Sequence, residues 1–344
     1  SRITYGGVMR ATAEDVARLA GVSVSTVSRA LAAPEKVSPS TRQRVIEAAD
    51  SLRYRPVRAA SGLATGRTGN IGLVIPDLEN PYFSALTKAV HARTHALGHQ
   101  LFVVDTDEDP SQEAEVLRKL SRDVDGIILC SPRAADDELL PYTADVRLVT
   151  INRTIPQVPS VLADDADGMA QAVRHLVALG HRDIAYAGGP LPSWSDRTRR
   201  GAFLDITGAD DTIRAHELGS FMPYFSGGVA AADLLLASPA TAVVVFNDLM
   251  ALGLLDRVKS RGVDVPGDLS ILSFDNTMFA AAVTPHLTSV GYPRRLVARH
   301  AIDLLLDLEG PAATNGHNAP LELLPTQLTV RASSGPAPLP SRAH

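Results

Sequence analysis

Near the start of this 344-residue chain, a short run of residues has types and spacing that suit contacts with DNA. A predicted helix begins at Val24, and its first exposed positions include Ser25 and, one turn later, Arg29. Arginine can donate two hydrogen bonds to a guanine, and valine can contact the methyl group of a thymine. The alternative is that Val24 packs in a core and Arg29 is a solvated charge. Neighbouring hydroxyls suit phosphate contacts or helix capping: Ser23, Thr26 and Ser28.

A second group of polar and aromatic residues follows apolar runs that are typical of strands. Asp77, Tyr82 and Phe83 come just after the first such run, and Asn247 and Asp275 each follow a later one. Side chains at the carboxyl ends of parallel strands reach the ligand crevice of an α/β fold. Carboxylates and amides bind vicinal hydroxyls and rings cover apolar faces, so we expect a sugar, or a nucleobase with similar chemistry. Alternatively, Asp77 caps a helix and Asn247 is a turn residue.

Three short helices are predicted to position the first group. Thr12 can cap a helix with acidic residues in its first turn, and Gly21 ends that helix because glycine tolerates positive φ. The second helix is Val24–Ala32, and the third, Thr41–Leu52, is predicted to be capped by Ser40. A helix, a glycine-containing turn and a second helix have the spacing of a helix-turn-helix.

From residue 70 onward, apolar strands alternate with helical patterns. Strands that are apolar throughout are typical of parallel sheets covered on both faces. The predicted fold class is therefore a small all-α helix-turn-helix head followed by an α/β body with doubly wound parallel sheets. The predicted strands are Ile71–Ile75, Leu101–Val104, Gly126–Cys130, Arg147–Ile151, Ile184–Ala187, Ala242–Phe246 and Leu269–Ser273.

Charge is distributed unevenly along the chain. The net charge of the whole chain is −5, yet residues 9–68 contain ten lysines and arginines and only five acidic residues. The rest of the chain is therefore strongly acidic. A basic head on an acidic body is typical of a DNA-binding module on a carrier, although a solvated charged surface is the alternative.

Composition and motifs argue against several other classes of protein. Cys130 is the single cysteine and cannot form an internal disulfide, which suits a reducing cytoplasm. No apolar run approaches the roughly 18 residues of a membrane span, and residues 1–8 lack the features of a signal peptide. The sequence contains no Gly-x-Ser-x-Gly or Gly-x-x-x-x-Gly-Lys motif, and His91 and His95 lack further metal ligands at suitable spacing. We expect a cytoplasmic protein without catalytic residues, metal or cofactor.

An ordered series of motifs resembles the lactose-repressor (LacI/GalR) family and covers nearly the whole chain. A lone helix-turn-helix pattern is moderately specific, whereas this series is highly specific. The matching segments are A-T-A-E-D-V-A-R-L-A-G-V-S-V-S-T-V-S-R-A-L from Ala11, V-S-P-S-T-R-Q-R-V-I-E-A-A from Val37, Y-R-P from Tyr54, I-G-L-V-I-P-D-L-E-N-P-Y-F from Ile71, L-V-A-L-G-H-R-D-I-A from Leu176, F-N-D-L-M-A-L-G from Phe246, F-D-N from Phe274 and H-L-T-S-V from His286.

The resemblance implies how the head would meet DNA. Val24, Ser25 and Arg29 stand where the family reads operator bases. In the family, the linker folds into a hinge helix whose leucine wedges between base pairs in the minor groove, and Leu63 occupies the matching position. Ser61 stands where an arginine is frequent, which weakens an expected phosphate contact but not the wedge. The alternative is a linker leucine packed on its own body.

For the body, the resemblance implies a fold like periplasmic sugar-binding proteins, with two α/β lobes around a ligand. The chain of such proteins crosses between the lobes more than once. Arg199 lies in R-R-G-A-F, similar to the family's Arg-x-x-Gly-Phe, and Asn247 and Asp275 lie in motifs that bind the effector. Further candidates for the cleft are Asp165, Asp167, Trp194 and Phe221.

Together these patterns predict a DNA-binding head of residues 9–54, a hinge of residues 55–68 and an effector-binding body of residues 69–334. The expected function is a transcriptional repressor that binds palindromic double-stranded operator DNA as a homodimer. A small polar effector, a sugar or a nucleoside-like compound, would control it. A solute-binding protein of the same fold is the first alternative, opposed by the basic head. An enzyme acting on sugars or nucleosides is the second, and no nucleophile or acid–base pair supports it.

Overall fold

A computed structural model describes residues 11–32, 36–54, 68–307 and 319–339 of the chain. The chain divides into two units, Ser1–Gly69 and Asn70–His344. Residues 55–67 of the predicted hinge, with Ser61 and Leu63 among them, lie outside the described residues.

The first unit contains three helices. The predicted cap at Thr12 is present: its hydroxyl accepts from the Asp15 N–H at 3.3 Å, and the Asp15 carboxylate accepts from the Thr12 N–H at 3.0 Å. Gly21 has φ of 63° and ends the first helix as predicted. Small and branched side chains from all three helices form one core, because an alanine-rich face lets short helices approach closely. The helices are α1 (Ala13–Ala20), α2 (Val24–Ala32) and α3 (Pro39–Ser51).

The third helix begins earlier than predicted. Ser38, and not Ser40, is its N-cap, and the Ser38 hydroxyl accepts from the Thr41 N–H at 3.3 Å. Pro39 occupies the first turn, where its fixed φ suits the helix and its missing N–H has no helical partner to lose. The prediction placed the cap two residues late because it did not use this proline.

The second unit alternates strands and helices. Its strands are β1 (Asn70–Ile75), β2 (Gln100–Asp105), β3 (Gly126–Cys130), β4 (Arg147–Ile151), β5 (Ser160–Ala163), β6 (Asp183–Gly188), β7 (Arg214–Ser220), β8 (Ala242–Val245), β9 (Ser270–Phe274), β10 (Thr288–Gly291), β11 (Leu321–Leu324) and β12 (Gln327–Thr329). Its helices are α4 (Pro81–Ala96), α5 (Pro110–Leu120), α6 (Asp136–Leu139), α7 (Asp165–Ala178), α8 (Trp194–Gly208), α9 (Phe225–Leu236), α10 (Asp248–Ser260), α11 (Met278–Ala282) and α12 (Arg294–Asp307), with a 3₁₀ segment at Leu140–Ala144.

The strands form two sheets of six, one in each lobe. The order in the first lobe is β11-β5-β4-β3-β1-β2, and in the second lobe it is β12-β10-β9-β8-β6-β7. Every pairing is parallel except that of β12 with β10. Neighbouring residues point to opposite faces: Leu73 and Val74 belong to different buried clusters, and so do Val243 and Val244. Both faces of each sheet are covered, as the apolar strand pattern predicts.

The chain passes between the lobes three times: from β5 to α7, from β10 to α12, and from β11 to β12. Two of these crossings are tied together, because the Asp164 N–H donates to the Leu324 carbonyl at 2.9 Å and the Thr326 hydroxyl donates to the Asp164 carbonyl at 3.1 Å. Neither lobe is one continuous segment, as the resemblance implies.

Five strands are absent from the sequence prediction: β5, β7, β10, β11 and β12. In β10, Thr288 and Ser289 break the apolar pattern, yet both are fully buried. Their hydroxyls are satisfied by Ser334 and by Asp248, each at 2.8 Å. A polar strand can be buried when tertiary partners complete its hydrogen bonds, and those partners are not visible in a local pattern.

No helix in the described parts of the chain is long and apolar enough to span a bilayer.

Candidate functional site

Helix α2 of the head presents the predicted DNA-reading residues on an exposed face. Val24 is 45% exposed, whereas Val27, one turn later, is 1% exposed and packs in the core. This placement excludes the alternative in which Val24 is a core residue. The Arg29 guanidinium lies along the helix and donates from Nε to the Ser25 carbonyl at 3.1 Å. Val24, Ser25 and Arg29 thus occupy one accessible surface.

The other hydroxyls of this helix have local partners. The Ser23 hydroxyl accepts from the Thr26 N–H at 3.2 Å and lies 2.8 Å from the Thr26 hydroxyl. Ser23 is therefore the helix cap, one of the two roles expected for it, and its hydroxyl satisfies an N–H that the helix leaves free. Ser28 is exposed on the same helix.

In the second unit, the carboxyl ends of the strands of both lobes meet at a small cavity of about 30 Å³. A ligand pocket usually measures roughly 300–1,000 Å³, so a ligand would need a more open arrangement of the lobes. The first lobe lines the cavity with Asn80, Tyr82, Phe83, Glu108, Ser131, Arg133 and Asn152. The remaining lining residues are Ser193, Ser195, Arg199, Pro223, Phe246, Asn247, Asp275 and Tyr292.

Arg199 is the buried cation of the second lobe. It lies on α8 and is 5% exposed. Its Nε donates to the Asp165 carboxylate at 3.0 Å, and its Nη1 donates to the Phe246 carbonyl at 2.6 Å. The guanidinium carbon is 4.1 Å from the centre of the Phe274 ring. An acid, a carbonyl and a ring thus hold this planar group in place, and Arg199 also lines the cavity.

Asp275 is the buried carboxyl group that faces this arginine. Burial raises its pKa from 3.8 to about 7, with repulsion by Asp248 and Asp165 adding to the rise and attraction by Arg199 opposing it. Its backbone has φ of 97°, in a region that favours glycine, so the loop after β9 holds it in an unusual conformation. Near neutral pH the carboxyl group can either donate or accept a hydrogen bond.

A hydrogen-bonded cluster of Tyr82, Asn152, Tyr292 and Ser131 forms the wall of the first lobe. Asn152 donates from Nδ2 to the Tyr82 hydroxyl at 3.0 Å and to the Ser131 hydroxyl at 3.1 Å. The Tyr292 hydroxyl donates to Asn152 Oδ1 at 2.7 Å and also contacts the Tyr82 hydroxyl. Tyr292 lies where the chain crosses from β10 to α12, so this wall connects the cavity to a crossing between the lobes.

Comparison with known proteins finds family matches in both units. Residues 12–57 match the family described as "Bacterial regulatory proteins, lacI family", and residues 173–334 match "Periplasmic binding protein-like domain". The chain is 32% identical to the HTH-type transcriptional regulator DegA of Bacillus subtilis over 95% of this chain and 99% of that protein. The chain belongs to the lacI family of bacterial regulatory proteins.

Two solved structures of other transcriptional regulators are similar to 94% of this chain. The lac repressor dimer bound to operator and the anti-inducer ONPF matches with a TM-score of 0.81 and 28% identity, covering 94% of this chain and 99% of that one. The complex of the regulator CelR with cellobiose matches with a TM-score of 0.67 and 29% identity over 94% and 100% of the two chains. This protein is a DNA-binding transcriptional regulator with a helix-turn-helix head and an effector-binding body.

The structure of this lacI-family regulator brings five of the predicted cleft residues to the cavity lining: Tyr82, Phe83, Arg199, Asn247 and Asp275. Asn247 also has a structural contribution, because its Oδ1 accepts from the Met250 N–H at 2.8 Å and caps α10. Asp165 lies behind the lining as the partner of Arg199.

Four predicted residues lie outside the lining of the cavity. Asp77 accepts from the Glu79 N–H at 2.7 Å and shapes the turn before α4. Asp167 is exposed and accepts from Gln171 at 2.6 Å. Trp194 has the Arg197 guanidinium 5.0 Å from its ring centre, and Phe221 packs against the core of the second lobe.

Other lining residues are absent from the sequence prediction. Asn152 directly follows the predicted strand that ends at Ile151, so the same rule that selected Asn247 could have found it. Glu108 and Arg133 lie three to four residues after the predicted strands that end at Val104 and Cys130, but only the folded sheet brings their two loops together as an ion pair. Among the described residues no group of three or more His, Cys, Asp or Glu side chains could hold a metal ion.

Proposed function

We propose that this lacI-family regulator is a repressor that binds a roughly palindromic operator as a homodimer. One short recognition helix reads too few base pairs for specificity, so a symmetric pair of heads is needed. The exposed surface of Val24, Ser25 and Arg29 carries this part of the proposal. The lac repressor structure, a dimer on its operator, supports the same arrangement. We also propose the boundaries 9–54 for the head, 55–68 for the hinge and 69–334 for the body.

We propose further that a small polar effector, a sugar or a nucleoside-like compound, binds in the cleft and changes operator affinity. The observation that carries this is the buried cavity where Arg199, Asp275 and Asn247 meet the tyrosine wall of the opposite lobe. The relative CelR has been solved with cellobiose, which supports a sugar. An effector acts by binding one lobe arrangement more tightly, and a coupling of about 1–3 kcal/mol changes operator affinity by roughly 5–150-fold.

The experiment is a gel shift with the full-length chain on DNA upstream of its own gene, with and without sugars and nucleosides. We expect a specific shift whose midpoint moves when the effector is added. An induced regulator would release the DNA, and a co-repressed one would bind it more tightly. If no specific DNA complex formed, either without a compound or with any of them, the proposal would be contradicted. That result would favour a solute-binding protein.

We propose that the chain binds its ligand without catalysing a reaction and that it acts in the cytoplasm, where its DNA partner is. Cys130 lies buried in a strand, and burial raises the pKa of its thiol to about 12 and leaves it unreactive. This supports the proposal that the chain does not catalyse a reaction. The two arginines of the cavity are likewise committed to buried ion pairs. Turnover of a sugar or nucleoside by the purified protein would contradict this assignment.

Replacing Arg29 with alanine is expected to weaken operator binding by about 1–3 kcal/mol and to relax the preference at one symmetric base pair. The measurement is anisotropy titration on the operator and on single-base-pair variants. Arg18→Ala is the matched control, since its side chain is 78% exposed and pairs with Asp15 in the same head. The control is expected to alter affinity equally on all sequences. An equally uniform loss for Arg29→Ala would show that Arg29 contacts phosphate only.

Replacing Leu63 with alanine is expected to weaken specific binding much more than non-specific binding. Leu63 lies outside the described residues, and this prediction comes from its position in the linker. A wedge matters only where hinge helices insert and the duplex bends, whereas non-specific contacts are mainly to phosphates. Titrations on operator and on random DNA at one salt concentration test it. Equal losses on both would identify Leu63 as a packing residue.

A further inference from the structure

The cavity contains a second buried ion pair, opposite Arg199. The Arg133 guanidinium donates from Nε to Glu108 Oε2 at 2.7 Å and from Nη2 to Glu108 Oε1 at 3.0 Å. The two side chains are 5% and 2% exposed. Two parallel hydrogen bonds hold the pair in one geometry, so the Arg133 charge is neutralised where it faces the cavity.

The backbone around Arg133 is equally constrained. The Glu113 carboxylate accepts from the Arg133 N–H at 2.6 Å and from the Ala134 N–H at 3.0 Å. Arg153 donates to the Pro132 carbonyl at 3.0 Å and to the Ala134 carbonyl at 2.6 Å. Because the loop is fixed at both N–H and carbonyl groups, Arg133 cannot easily turn from Glu108 toward a ligand.

The arginines that line the cavity are paired with acids of the protein. Arg133 has Glu108 as its partner, and Arg199 has Asp165, while Asp275 lies between Arg199 and Arg294. Both lining arginines are therefore compensated within the protein. A ligand that carried a phosphate would have to bring its charge into a buried site whose cations are already paired, beside a carboxyl group that can ionise.

The surroundings of Tyr224 on the opposite lobe show which other acids lie near Glu108. Tyr224 precedes α9, and its pKa is raised to about 12 by burial and then by Glu108, Asp77, Asp107 and Asp105. These four carboxylates come from the first lobe, so the lobe surface beside the cavity is acidic. An acidic surface at a cleft lowers the local concentration of anionic ligands and favours neutral or cationic ones.

We infer that the effector of this regulator is an uncharged polyhydroxyl compound, a free sugar or polyol, and that the Glu108–Arg133 pair discriminates against its phosphate esters. This inference rests on the proposed effector function of the cleft. Arg199, Asn152, the two tyrosines and Asp275 offer hydrogen bonds to neutral hydroxyls. Glu108 keeps Arg133 from pairing with a phosphate. The neighbouring carboxylates of Asp77, Asp105 and Asp107 supply the repulsion that specificity against a related ligand requires.

The test is calorimetric titration of the full-length chain with matched pairs: ribose and ribose 5-phosphate, glucose and glucose 6-phosphate, galactose and galactose 6-phosphate, and inorganic phosphate alone. We expect at least one free sugar to bind at least about tenfold more tightly than its ester, a difference of roughly 1.4 kcal/mol. Tighter binding of an ester, or inorganic phosphate binding in competition with a sugar, would overturn the inference and leave the proposed function standing. If no compound bound while operator binding persisted, the sugar effector itself would be wrong.

Glu108→Gln tests the residue responsible. The substitution retains the shape and one hydrogen-bond acceptor but leaves the Arg133 charge uncompensated, so the preference for the free sugar over its ester is expected to fall by about tenfold. Glu115→Gln is the matched control, because Glu115 is 49% exposed and pairs with Arg118 away from the cavity. An unchanged preference in a folded Glu108→Gln variant would remove Glu108 from the discrimination. If that variant did not fold, titrations of the wild-type chain with each sugar and its phosphate ester would still decide the inference.

Discussion

Replacing Arg199 with alanine is expected to abolish the response of operator binding to the effector and to lower the free energy of unfolding by about 3–5 kcal/mol. The loss of stability arises because Asp165, 8% exposed at its side chain, is left as a buried acid without its partner. The loss of response arises because the ligand loses charge-assisted hydrogen bonds from a fixed guanidinium. Denaturant unfolding measures the first effect, and operator titration with and without saturating effector measures the second.

Two further variants separate these effects. Arg199→Lys keeps the charge beside Asp165 but loses the planar fork, so we expect a more stable protein than Arg199→Ala with an impaired effector response. Arg200→Met removes the neighbouring ion pair with Asp196 on the same helix, outside the cavity lining, and should retain the response. A folded Arg199→Lys or Arg199→Ala protein with a normal response would remove Arg199 from the effector site.

The second large effect is the contribution of Asp275 to the pH dependence of the free energy of unfolding. Its pKa of about 7 in the folded chain lies above the ordinary value of 3.8, so between these two pH values the folded state binds more protons than the unfolded state. The contribution of Asp275 to stability therefore falls as pH rises through this window. Asp275→Asn keeps the neutral shape and removes the titration. The difference in free energy of unfolding, variant minus wild type, should therefore increase by about 2–3 kcal/mol between pH 5 and pH 8.

Urea unfolding at pH 5 and pH 8 tests this expectation, with Asp256→Asn as the control. Asp256 is an exposed aspartate on α10, and its replacement should leave the pH dependence of wild type intact. A pH dependence in Asp275→Asn equal to that of wild type would mean that Asp275 is not a buried group that titrates near neutrality. DNA binding by Asp275→Asn should persist, provided that it does not require effector, because the variant changes the body and not the head.

Much of this protein could be predicted from local sequence. Thr12, Gly21 and Ser23 determine the ends of the head helices through capping and positive φ, which depend on residues a few positions apart. The apolar runs of β1 and β3 predict buried parallel strands. Because ligands of such folds lie at strand ends, the positions of Asn247 and Asp275 directly after strands also predict part of the cleft.

Only the tertiary structure decided how the charges of the cleft are paired. Arg199 meets Asp165 across 34 positions and Arg133 meets Glu108 across 25, while Tyr292 reaches Asn152 across 140. The same is true of β11, which joins the sheet of the first lobe beside β5 after the chain has formed five of the six strands of the second lobe. The two ion pairs depend on how each lobe folds, whereas the Tyr292–Asn152 contact and the place of β11 depend on the crossings between the lobes. Neither spacing nor propensity within a short window carries that information.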